Sequence, residues 1–139
     1  AGSPLVIYNA NYDISLLTYE LERHVLPPMD WAQFNIIDPY LLDKNLDKWR
    51  KGSRKLVDTA KHYGVEVDED RLHESEYDNY LAGRVAISVV AKYNVTNAIL
   101  KTQPELYRAW ANDFEKYKRK TEPDFKMDSK DWPLKLKES

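Results

Sequence analysis

Two short stretches hold the side chains best placed to do chemistry. In Asn9-Ala10-Asn11-Tyr12-Asp13 a carboxylate follows the apolar run Leu5-Val6-Ile7, so Asp13 falls at the C-terminal end of an expected strand, where α/β folds gather ligands. In Arg71-Leu72-His73-Glu74-Ser75-Glu76-Tyr77-Asp78 a histidine stands five residues ahead of an aspartate that opens a helix. That spacing can hold an imidazole over the mouth of a site while the Asp78 carboxylate rises from the first helical turn. Each stretch also has a plain reading: Asp13 as a helix N-cap, and His73 as a solvent-facing residue on an acidic loop.

Composition narrows what chemistry is open to these groups. The 139-residue chain has no cysteine, which excludes disulfides, thiolate catalysis and Cys-based zinc sites. Its three histidines, His24, His62 and His73, leave little room for a His-rich metal centre, so a metal would have to be held by carboxylates. With 42% hydrophobic and 32% charged residues the chain reads as one folded domain. No apolar run approaches the roughly 20 residues of a membrane span, and no basic, apolar leader opens the chain. The expectation is a cytoplasmic protein without membrane contact.

The net charge of −2 conceals a division of sign. Six of the twelve residues from Lys44 to Lys55 are basic, whereas six acids against one arginine lie between Asp68 and Asp78. Trp49 among Lys48, Arg50 and Lys51 offers phosphate neutralisation beside a base-stacking ring, as a single-stranded nucleic-acid path uses. The alternative is a loop whose tryptophan packs inward. Asn9 is a further candidate contact, or else orients its loop through backbone hydrogen bonds.

Around these groups the expected elements come from period and punctuation. Residues 4–8 and 34–38 read as short buried strands, the second closed by Pro39. A helix begins near Ile14 and ends at Pro27-Pro28. A second helix is capped by Ser53 and stopped by Gly64, and a third begins near Asp78 and carries Leu81, Val85 and Val89. The last has Thr102 and Glu105 at capping-box spacing, Pro104 in its first turn, and a stripe of Leu106, Trp110, Phe114 and Tyr117. From Thr121 to Ser139 an extended tail is expected to lie over the body. Two strands and about four helices make an α/β fold. Two strands alone are too few for a stable open sheet.

The order and spacing of these elements resemble the DEDDh 3′-5′ exonucleases, the DnaQ-like family with a ribonuclease H-like fold. VIYNANYDISLL is similar to that family's second motif, and RLHESEYD to its third, His-x4-Asp before a helix; NIIDPYLLDK and KGSRKLVDTAKHYGV resemble the segments between them. The resemblance spans about residues 4 to 93, and the terminal helix and tail look like an extension of some phage or actinobacterial members. It implies a hydrolase acting on the 3′ end of single-stranded DNA or RNA with two Mg2+ or Mn2+ ions. Asp13 would support a metal, Asp78 would bind one directly, and His73 would be the general base.

The family's first motif, Asp-x-Glu on a strand, lies upstream of the second, and twelve residues precede Asp13 here. Asp113-Phe114-Glu115 is no substitute, because helical residues two apart point about 200° from each other. The expectation is therefore a partial exonuclease domain over residues 1–97 with a C-terminal helix and tail over 98–139. An N-terminal complementing fragment, a longer precursor or a second copy would complete the site. The competing expectation is a non-catalytic relative that binds a protein or nucleic acid, and a third is a homodimer formed by edge addition at Val6.

Overall fold

The computed structural model describes residues 4–134. Within them the fold is mixed α/β and mostly helical, with six α-helices and two parallel strands. Strand β1 (Leu5–Val6) pairs in parallel with β2 (Ile36–Ile37), Leu5 opposite Ile36 and Val6 opposite Ile37. The Leu5 and Ile7 N–H groups donate to Asn35 and Ile37, so Val6, between them, turns its own N–H and C=O to the other edge of β1. Among the described residues no strand pairs there.

Helix α1 (Ala10–Arg23) begins four residues earlier than its apolar period suggests, because its start is held from outside. Asn9 takes a left-handed conformation (φ 62°) and makes no side-chain cap. The Asp38 carboxylate, at the end of β2, instead accepts from the Asn9 and Ala10 N–H groups at 2.9 and 2.8 Å. Asp13 is accordingly inside the first turn and is not the N-cap. At its other end α1 stops before Pro27, with Val25 left-handed (φ 57°) and the Leu26 N–H returning to the Leu21 carbonyl.

Helix α2 (Pro39–Leu46) corrects the sequence reading, which takes Pro39 only as a strand stop. Pro39 occupies the first helical turn, where its missing N–H costs nothing, and Asp38 caps the helix by accepting from Tyr40 and Leu41 N–H. Helix α3 (Leu56–His62) is not capped by Ser53, whose hydroxyl accepts from the Lys55 N–H one residue before the helix. Its end is as expected: Gly64 is left-handed, and the Val65 and Gly64 N–H groups return to the Ala60 and Lys61 carbonyls.

Helix α4 (Ser75–Tyr93) supplies the centre of the core. Leu81, Val85 and Val89 are fully buried on the expected stripe, packed with Tyr77, Leu42, Ala60 and Val65. Helix α4 lies against α2, α3 and β1. The short α5 (Asn97–Lys101), not foreseen from the sequence, is capped by Thr96 and leads into α6 (Gln103–Lys118). The capping box does not form there, because the Thr102 hydroxyl donates back to the Ile99 carbonyl. Gln103, Tyr107, Ala111 and Glu115 are the buried residues of α6, and Tyr117 is 66% exposed rather than part of an inward stripe.

The tail does lie over the body as far as Leu134; residues 135–139 fall outside the described residues. Trp132 and Leu134 pack on a second apolar cluster of Ala10, Ile14 and Ile36. Buried Glu115 fastens the segment by accepting from the Met127 N–H and Lys130.

Candidate functional site

The His73–Asp78 loop is built by its own backbone. His73 is left-handed (φ 76°), and its N–H donates to Asp78 Oδ1 at 3.3 Å, while the Asp78 N–H donates to the Glu74 carbonyl in the first turn of α4. The carboxylate thus braces the loop that carries the histidine. His73 and Asp78 line one pocket of about 340 Å³ with Lys55, Leu56, Val57 and Leu72. The imidazole itself is exposed and makes no hydrogen bond within the described residues. Glu74 and Glu76 are exposed, and Glu74 pairs with Arg71 at 3.1 Å.

Asp13 does not line that pocket. It stands in the first turn of α1, directly after β1, whereas Asp78 stands in the first turn of α4, which packs on β1. The Asp13 carboxylate has no hydrogen bond or ion pair within the described residues, and partial burial pushes its pKa up. Asp38 is no free ligand: it is buried with four backbone N–H groups on its two oxygens. Burial raises its pKa, and the N–H groups of Ala10, Asn9 and Leu41 pull against that rise. Asp113 and Glu115 diverge as helix geometry requires, the first exposed and paired with Lys48, the second buried and paired with Lys130. Among the described residues no three histidine or acidic side chains gather as a metal ion would require. Asp13 and Asp78 alone fall short of the donor set of Mg2+ or Mn2+.

The basic stretch separates into spent and available cations. Arg50 clamps Asp43 with both terminal nitrogens at 2.7 Å and reaches Asp47 at 2.8 Å. Arg54 holds Asp43 at 2.7 Å and the Asp47 carbonyl at 2.6 Å. Tyr63 donates to the same Asp43 carboxylate at 2.6 Å. Burial raises the Asp43 pKa, but its hydrogen bonds from Arg50, Tyr63 and Arg54 outweigh burial and hold it below the ordinary value. Arg50 is therefore an internal structural cation. Lys51 is exposed, and Asn9 sits at the β1–α1 junction with its N–H on Asp38.

Lys48 and Trp49 face a different place, a cleft of about 530 Å³ between α2 and α6. Trp49 is 84% exposed, so it does not pack inward, and the Lys48 ammonium lies 5.0 Å from its ring centroid. Sequence reasoning missed Lys44 and Trp110 here: the Lys44 ammonium lies 3.5 Å from the Trp110 ring centroid and 4.2 Å from that of Tyr40. Burial pushes the Lys44 pKa down to about 8, although Asp38 pulls the other way. The only advance signal was the helical spacing of Tyr40 and Lys44, and it was unreadable without recognising α2.

No family model, no curated protein and no solved structure matches this chain.

Proposed function

We propose that this chain carries part of the site of a 3′-5′ exonuclease that hydrolyses phosphodiester bonds of single-stranded DNA or RNA. The observation that carries the reading is the meeting of His73 and Asp78 in the lining of one pocket, where a loop enters a helix packed against the strand that leads to Asp13. Histidine is the side chain suited to taking a proton from an attacking water near neutral pH, and this imidazole has no competing hydrogen bond within the described residues. The residues described do not by themselves fit a two-ion site. The reading therefore takes its remaining acids from a strand supplied by a longer polypeptide or a second chain, and the open edge at Val6 is where such a strand can add.

The test measures shortening of a 5′-labelled single-stranded oligonucleotide in magnesium or manganese, with the chain alone and with a longer form that adds an Asp-x-Glu strand. The completed protein is expected to digest from the 3′ end, and His73→Ala or Asp78→Ala to remove that activity with the circular dichroism spectrum retained. Wild-type rates in either variant would overturn the assigned roles.

A second reading, a non-catalytic nucleic-acid-binding module, is favoured by one observation: among the described residues the acids do not converge, whereas exposed Trp49 and two lysines line one cleft. Binding without cleavage in the completed protein would select it.

A further inference from the structure

The α2–α6 cleft contains a cation that makes no direct ion pair within the described residues. Among the described residues Lys44 enters no ion pair and no hydrogen bond, its ammonium resting only against the faces of Tyr40 and Trp110. Stripping water from an ammonium is unfavourable, and burial pushes the Lys44 pKa down to about 8, further than the nearby charge of Asp38 restores it. An anion entering the cleft would offset that cost. Lys48 offers a second charge, since its partner Asp113 is at 3.2 Å in a pair more than half exposed on both sides, the kind that a phosphate readily displaces. Arg54, the remaining cation of the cleft, is spent on Asp43.

Apart from Asn45 and Ala109, the rest of the lining is aromatic. Trp49 is 84% exposed at the rim, and a large apolar ring left in water beside the Lys48 ammonium, in the cleft that Lys44 also lines, is a surface for a planar, anionic ligand. The Trp110 ring stacks on Phe114 with centroids 5.2 Å apart, which stiffens the α6 wall. A cavity of about 530 Å³ is within the size range of small-ligand sites.

We infer that this cleft binds one nucleotide step of a single-stranded nucleic acid, with the base stacked on Trp49 and the phosphate held by Lys44 and Lys48. The site rests on the nucleic-acid reading of the chain but uses none of the residues assigned to cleavage. Stacking supplies sequence-tolerant affinity, and the two ammonium groups supply the salt-dependent part.

Binding is measured with a fluorescein-labelled oligothymidylate of about ten nucleotides, by anisotropy in EDTA over a range of salt concentrations. Trp49→Ala is expected to weaken binding about tenfold and Trp49→Phe to restore most of it. Lys48→Gln and Lys44→Gln should each flatten the slope of log affinity against log salt by about 0.7. An abasic strand of equal length should bind about tenfold more weakly than the oligothymidylate.

Equal binding of the abasic strand, or unchanged affinity in Trp49→Ala, would overturn the stacking site. Thymidine monophosphate binding as tightly as the oligonucleotide would overturn its assignment to a strand. Because EDTA removes any metal-dependent cleavage, failure here leaves the exonuclease reading intact, and an inactive completed protein leaves this site intact.

Discussion

Asp43 turns two of the six cations of a basic run into internal structure. It is fully buried, and Arg50, Arg54 and Tyr63 all converge on its two oxygens. Removing one partner of such a group strands the others, so Asp43→Asn should lower stability by about 3–5 kcal/mol in urea unfolding. Because its pKa is depressed below 3.8 in the folded chain, its contribution is present above that value and lost as the pH falls through the folded value. The stability difference between wild type and variant should therefore be constant from neutrality to about pH 5 and shrink below about pH 4. A difference that stayed flat to strong acid would show that the charge of Asp43 is not what holds the cluster. The sequence shows six basic residues in this run, but not that two are consumed, because the consuming carboxylate differs from its neighbours only in being buried.

At the scale of elements, what punctuates a helix matters more than its period. The end of α1 places Val25, a β-branched residue and 92% exposed, at a left-handed position, where a side chain meets the following carbonyl. Nothing packs there to offset the strain. Val25→Gly should therefore raise the unfolding free energy by about 1 kcal/mol, readable as a shift of the denaturant midpoint at constant slope. A loss of stability would mean that Val25 makes contacts in the folded state that outweigh its strain. The contrast with Gly64 is instructive: the same return of N–H groups ends α3 with a glycine, and that end was legible in the sequence. α2 was illegible for a related reason. Asp38-Pro39 reads equally as the close of a strand and as an N-cap followed by a first-turn proline, and the choice depends on Leu42 finding the face of α4.

Across the whole molecule, two polar side chains join distant segments. The Gln103 amide donates to the Ile36 carbonyl at 2.8 Å and accepts from the Asp38 N–H at 2.9 Å, so it occupies the outer edge of β2 as another strand's backbone would. Growth of the sheet is thereby confined to the Val6 edge. Asn11 accepts from Tyr107 and donates to the Asp131 and Pro133 carbonyls, tying α1, α6 and the tail together. Asn11→Ala leaves these partners unmatched in a buried place and should cost about 1–3 kcal/mol. It should also accelerate amide hydrogen exchange from Met127 to Leu134, and unchanged exchange there would separate Asn11 from the docking of the tail.

The sequence by itself determined the features that depend on local period and residue chemistry: the two short strands, the α4 stripe, the Gly64 stop, and a histidine and an aspartate together at the start of a helix. Spacing along the chain sufficed because each depends on neighbours within a turn or two. Only the tertiary structure decided that Asp38 anchors two helices, that Arg50 is internal while Trp49 is exposed, and that Lys44 faces Trp110 across a cleft. These are contacts between segments far apart in the chain, selected by which groups lose their water on folding, and the loss of water is a property of the packed molecule rather than of any residue pattern.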